Sequence, residues 1–99
     1  MWVLLVSSSA EQDVAEGALW YENQQIGLGK EFIAEVEKIF QVLKRDPERV
    51  CLHYPTQQVR RILTHRFPYH VYYYIEEQTI RVFAIVHTAR HSRQWKRRR

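Results

Sequence analysis

Residues 69–86 read YHVYYYIEEQTIRVFAIV, and the way this stretch folds back on itself decides the architecture of the chain. Two runs rich in β-branched and aromatic residues, 69–75 and 80–86, flank the polar sequence Glu76-Glu77-Gln78-Thr79. Such side chains fit a pleated surface, and a four-residue loop joins antiparallel neighbours, so the stretch predicts a β-hairpin. With Ile75 opposite Ile80, Tyr74 pairs with Arg81, Tyr72 with Phe83 and His70 with Ile85. Side chains alternate along a strand. One face therefore carries Val71, Tyr73, Ile75, Ile80, Val82, Ala84 and Val86 and is expected to lie under other elements. The opposite face carries His70, Tyr72, Tyr74, Arg81, Phe83, Ile85 and His87, an odd mixture for plain solvent and the expected working surface.

Outward from the hairpin, residues 59–64 have the same composition and add a third strand. Trp2-Val3-Leu4-Leu5-Val6 is a short, wholly apolar strand candidate. Beyond Ser7 and Ser8, Ser9 with Gln12 has capping-box spacing, and Glu11, Asp13 and Glu16 follow where a helix dipole favours negative charge. Ala10, Val14, Ala18 and Tyr21 recur at three to four residues and form a narrow apolar stripe. Gly27 and Gly29 interrupt it. A second helix is expected over residues 30–45, with Phe32, Val36, Ile39, Phe40 and Leu43 on one face. Asp46-Pro47 stops it, because proline disfavours helical geometry in the residue before it. Two amphipathic helices joined by a short glycine-bearing turn make an antiparallel hairpin. The fold class is α+β: an N-terminal strand, a two-helix hairpin, a small twisted antiparallel sheet and a short basic C-terminal segment.

A chain of 99 residues has room for one modest core, so residues 1–99 are expected to form a single domain. Hydrophobic content of 45% with 26% charged residues is that of a globular protein, not a disordered one. The apolar opening is five residues long, lacks a basic leader and runs into acidic sequence, which fits neither a secretory signal nor a membrane span. The single cysteine, Cys51, cannot close an internal disulfide and fits a reducing, cytoplasmic setting. No histidine-and-acid arrangement can be placed beside it, so it is expected to be inert. Charge is divided along the chain. Residues 1–50 hold nine Asp/Glu against five Lys/Arg, a net of −4, whereas residues 51–99 hold two against ten, a net of +8. An acidic half joined to a basic half predicts that the second half meets an anionic partner.

Short motifs run in order along nearly the whole chain. They are Ala10-x-x-Asp13, Trp20-Tyr21-Glu22, Gly27-Leu28-Gly29 with Phe32, Arg60-Arg61, Phe67-Pro68-Tyr69, Tyr73, and His87-x-Ala89-Arg90 with Trp95. Their order and spacing resemble the RelE/ParE superfamily of toxins from bacterial type II toxin–antitoxin modules, also labelled plasmid stabilisation proteins. The resemblance implies a helical hairpin packed on a small twisted antiparallel sheet, in agreement with the periodicity. It also implies a cognate antitoxin, part of which folds on binding into a long, partly apolar groove between the helical hairpin and a sheet edge. No cofactor is implied. Two activities occur in the superfamily: RelE-like members cleave mRNA on the ribosome, and ParE-like members poison DNA gyrase without a recognisable RNase constellation. The F-P-Y-x-x-Y-Y and H-x-A-R-x-x-x-x-W patterns look more like the ParE branch, so the expected function is growth inhibition through gyrase. The alternatives are a RelE-like endoribonuclease and a non-toxic binding module of the same fold.

Each branch implies its own residues. For a nuclease, Arg61 and Arg81 are the candidates to stabilise the scissile phosphate, and His70, His87 and Tyr72 to move protons. Histidine suits that task near neutral pH. RNase members commonly carry an arginine on the strand where this sequence has His70, which counts against that branch. Strand histidines with structural hydrogen bonds account for His70 and His87 about as well. For a ParE-like toxin, Arg60, Arg81, His87, Arg90, Trp95, Lys96 and Arg97 are the candidates to contact target or antitoxin. Arg60 and Arg61 should point to opposite faces, so at most one of them joins Arg81. The basic tail would steer an anionic partner, although a solvated terminus has the same composition. Trp95 is expected to anchor on the domain edge. Tyr69, Tyr72, Tyr73 and Tyr74 read as sheet packing with Tyr73 inward, and RNA base stacking on Tyr72 and Tyr74 is the sharper alternative. His87 and His91 have helical metal-ligand spacing, yet they straddle a strand end without a Cys or acidic companion, so no metal is expected.

Overall fold

The structure, a computed structural model, describes residues 1–89 and Arg98. Strand β1 (Val3–Val6) leads directly into helix α1 (Ser8–Gln24). The N-cap is Ser7, whose Oγ accepts from Ala10 N at 3.1 Å, not Ser9 as the capping-box spacing predicts. Ser7 N also donates to Val82 O at 2.9 Å, so one extended residue ends the strand ladder and caps the helix. Gln12 turns instead to Glu16, with Nε2 donating to Oε2 at 3.1 Å.

Helix α2 (Leu28–Arg45) begins two residues before the expected start, because Glu22 of α1 supplies its cap. The Glu22 carboxylate accepts from Gly27 N at 2.9 Å and from Gly29 N at 3.0 Å, satisfying N–H groups that a helix start leaves unpaired. Those two bonds hold its carboxyl below the usual carboxylate range. Gly27 has φ of 89°, the left-handed region that glycine enters without steric cost. A Cβ on Gly29 would lie 2.6 Å from the Ala18 carbonyl oxygen, so the helices approach here as only glycine allows. α2 buries Phe32, Glu35, Val36, Ile39 and Leu43 and leaves the predicted Phe40 half-buried. The helix ends at Asp46-Pro47, as predicted, and a single 3₁₀ turn follows at Pro47–Arg49.

The remaining strands are β2 (Leu52–Tyr54), β3 (Val59–Leu63), β4 (Tyr69–Glu76) and β5 (Thr79–His87), in a five-stranded sheet of order β1-β5-β4-β3-β2. Strands β2 to β5 are antiparallel, while β1 runs parallel to β5 from Val3↔Thr79 to Val6↔Val82 and makes the sheet mixed. The three-residue β2 is too short to show alternation and was not predicted. One face packs under the helices around Tyr21, Phe32, Phe67 and Tyr69, whose ring centroids lie 4.7 to 6.2 Å apart. Tyr73 is wholly buried there, its Oη donating to Pro47 O at 2.7 Å, and burial pushes its pKa up to about 12. No helix among the described residues is long and apolar enough to cross a membrane.

The β4–β5 hairpin holds the main correction to the sequence reading. Ile75↔Ile80 and Tyr74↔Arg81 pair as predicted, and Glu76↔Thr79 shortens the connection to Glu77-Gln78. Beyond Tyr73↔Val82 the register slips, so that Tyr72 faces Ala84, Val71 faces Ile85 and His70 faces Val86. Phe83 is the extra residue of a β-bulge, and everything after it changes face. Ile85 joins the core under the helices, while Ala84 and Val86 join Val59, Tyr72 and Phe83 in a second cluster on the opposite face.

Candidate functional site

The bulge divides the predicted working surface. His70 stays on the face opposite the helices, in a group with Arg61, Tyr72 and His53. Arg61 and Tyr72 are cross-strand partners on β3 and β4, and Arg61 Nη1 donates to Tyr72 Oη at 3.5 Å. The His70 and His53 rings lie 6.1 and 6.2 Å from the Tyr72 ring. Burial, then the Arg61 charge, then His53 lower the His70 pKa below 6.5, so the imidazole is neutral and able to accept a proton at neutral pH. His53 was not singled out in the sequence, because residues 51–58 carry no periodic signal.

His87 faces the helices instead. Its Nδ1 accepts from Ala89 N at 3.0 Å, and its ring stands 5.2 Å from Tyr69 at the mouth of a cleft of about 420 Å3 shared with Glu16, Gly17 and Trp20. The shared surface expected for His70 and His87 is therefore absent. Arg81 keeps the predicted face, opposite Tyr74, where its Nε donates to Glu76 Oε1 at 2.9 Å across the hairpin. Tyr74 lies four residues from His70 on β4, about 13 Å along an extended strand. Arg60 takes the other side of β3 and donates through Nη1 to Glu48 O at 3.1 Å and to Val50 O, tying the 3₁₀ turn to the sheet. Arg61, not Arg60, thus shares a face with Arg81. Arg90, Trp95, Lys96 and Arg97, and with them His91, lie outside the described residues.

The sequence reading also missed an ion pair between Asp13 and Arg98. Arg98 Nη1 and Nη2 reach Asp13 Oδ2 and Oδ1 at 2.6 and 3.1 Å. Asp13 Oδ2 accepts from Ile85 N at 2.9 Å, and Arg98 Nη1 donates to Phe83 O at 3.2 Å. These are edge groups of β5 beyond the end of β1, so two side chains stand where a longer β1 would have paired. Asp13 lies one turn after buried Ala10, and the sequence marks it as an acidic residue early in the helix and as part of Ala10-x-x-Asp13, neither of which reveals the ion pair.

A cleft of about 960 Å3 lies between α2 and the end of β3. Ile39 and Ile62 form its floor, Val42 and Leu63 its half-exposed walls, and Lys38 and Arg45 its charged rim. Among the described residues no three His, Cys, Asp or Glu side chains converge as a metal site would need.

Residues 4–92 match the family model described as the ParE toxin of the type II toxin–antitoxin system parDE. This chain belongs to the ParE toxin family. The ParE fold is seen again in a solved chain of the chromosomal ParDE TA system from P. aeruginosa, with a TM-score of 0.60 and 16% identity over 88% of this chain and 96% of that one. No curated protein matches significantly. As a ParE toxin the chain is one half of a two-component module, and an antitoxin is its partner. The family also places the expectations from sequence motifs: the ParE branch was the one the F-P-Y and H-x-A-R patterns resembled.

Proposed function

We propose that this ParE-family chain acts in the bacterial cytoplasm, arrests growth by inhibiting DNA gyrase, and is held inactive by its antitoxin. The observation that carries the reading is the family match over residues 4–92. The dispersal of the nuclease candidates supports it, since His87 and Arg81 do not stand with Arg61, His70 and Tyr72. Induced expression in bacteria, with a supercoiling assay on purified gyrase and primer extension on abundant transcripts, tests it. Inhibited or trapped gyrase with intact mRNA is the expected result. Full gyrase activity would overturn the reading, and absence of growth arrest would leave a non-toxic binding module.

One observation favours a second reading, ribosome-dependent mRNA cleavage. Neutral His70 can take the proton from a 2′-hydroxyl, and Arg61 beside it can stabilise the charge that develops on the phosphate. Codon-spaced cuts that disappear in His70→Ala and Arg61→Ala would establish it.

A further inference from the structure

Helix α1 is the acidic element of a basic chain. It contains Glu11, Asp13, Glu16 and Glu22 and no lysine or arginine, while the whole chain has a net charge of +4. Asp13, Glu16, Gly17 and Trp20 fall at i, i+3, i+4 and i+7, so they share one face of α1, the face that meets the ends of β4 and β5. At Asp13 this face already holds a guanidinium, with Arg98 Nη1 and Nη2 on the two carboxylate oxygens. The bond to Asp13 first, against burial, and then the Asp13 and Glu16 charges raise the Arg98 pKa above its ordinary value. One turn further on, Glu16, Gly17 and Trp20 join Tyr69 and His87 around the cleft of about 420 Å3. Trp20 is 58% exposed, and its ring stands edge-on to Tyr21 at 5.1 Å. Tyr69 and His87 meet at 80°, and the bond from Ala89 N to His87 Nδ1 fixes the imidazole there. Gly17 puts no side chain between them, where a Cβ would lie 3.2 Å from Tyr69 Oη.

We propose that the cleft between Glu16, Trp20 and His87 binds a guanidinium group, presented by an arginine side chain of a protein partner. The proposal is independent of the gyrase reading. A carboxylate beside the faces of an indole and two further aromatic rings is the surrounding that a planar cation prefers, because the ring quadrupoles and the carboxylate attract the same charge. Arginine fits better than lysine, since its flat and weakly hydrated head stacks on aromatic rings while its N–H fork reaches a carboxylate. Arg98 on Asp13 shows the same pairing one turn away on the same helix face. The cleft has room for one side chain and not for a helix or a strand. A side chain within a polypeptide also fits better than the free amino acid, whose carboxylate would be repelled by Glu16 and Asp13. Most of this chain repels a basic partner, so α1 is the face on which such a partner's arginine is received.

The probe is N-acetylarginine methylamide, titrated against the full-length chain and followed by NMR. Saturating shifts are expected at the Trp20 indole N–H, at the His87 ring and at the Glu16 side chain. The citrulline analogue, which keeps the shape and lacks the charge, is expected to shift none of them, and free arginine is expected to bind more weakly than the capped form. Glu16→Gln and Trp20→Leu should each weaken binding about 3- to 10-fold, the size of an exposed ion-pair or cation–π contact. Glu37→Gln, on the exposed side of α2, is expected to change nothing. Equal shifts from the citrulline analogue, or shifts confined to other acidic residues, would overturn the proposal. So would a native chain that shows no shift, including the case in which the shift appears once Arg90 and Arg93 are changed to glutamine, which would assign the cleft to the chain's own tail. The shift map on the native chain decides the matter even if a variant fails to fold. It is read without reference to toxicity, so the supercoiling assay bears on the gyrase reading alone.

Discussion

His70 shows how one side chain records its surroundings. Burial first, then Arg61 and His53, lower its pKa, whereas the unfolded chain restores the ordinary value of 6.5. Between those two values the unfolded state binds a proton that the folded state rejects. Stability is therefore full above about pH 6.5, falls as the pH drops below it, and levels off beneath the folded pKa. Urea midpoints measured from about pH 7 to about pH 5 should fall more steeply for the native chain than for His70→Gln. Equal slopes would mean that His70 is not held neutral. The residue type was visible in the sequence, but its environment was not, because His53 arrives from a stretch without any pattern. Arg60 and Arg61 show the same limit. Alternation sets them on opposite faces, yet only the fold reveals which side faces the 3₁₀ turn.

At the scale of elements, the helical hairpin depends on how closely α1 and α2 approach. A Cβ on Gly17 would meet the Phe32 ring at 2.8 Å, and one on Gly29 would meet the Ala18 carbonyl oxygen at 2.6 Å. A ring can tilt, whereas a helix backbone cannot move without the helix. Against the helix propensity gained, Gly17→Ala is expected to cost about 1 kcal/mol and Gly29→Ala about 3 kcal/mol in chemical denaturation. The reverse order would show that Phe32 is the more rigid neighbour. The glycines were legible as an interruption, and so were both helices and the turn of the β-hairpin. The bulge was not. From Val82 to Val86 the sequence is apolar at every position, so either parity buries a hydrophobic side chain and alternation has nothing to choose between. The predicted working face failed at that point for this reason, and the residues before Phe83 kept their assigned sides.

For the whole molecule, the acidic first half and basic second half meet at the exposed pair Glu31 and Arg66 and at the more buried pair Asp13 and Arg98. The Asp13 and Arg98 side chains are 15% and 27% exposed, so solvent screens that pair only partly. Asp13→Ala removes the ion pair and also leaves Ile85 N without its acceptor, while Arg98→Ala leaves Asp13 bonded to Ile85 N. Asp13→Ala is expected to cost about 1–3 kcal/mol and Arg98→Ala less, with a double-mutant cycle showing coupling between them. Equal losses would mean that the contact with Ile85 contributes nothing, and additive losses that the ion pair contributes nothing. The overall charge division was readable from composition, but the contact at Asp13 was not, since Arg98 looks like one more member of a basic tail.

The position of β5 has a consequence for synthesis. It lies between β1 and β4 and is hydrogen-bonded to both, although β1 is made first and β5 after every other strand. As the chain leaves the ribosome, Val3 to Val6 wait for Thr79 to Val82, and the apolar floor beneath the helices has no centre until those residues emerge. A nascent chain halted before that point is a helical hairpin with loose strands, unable to assemble the sheet. A fragment that ends before Thr79 therefore lacks the strand that joins β1 to the rest of the sheet.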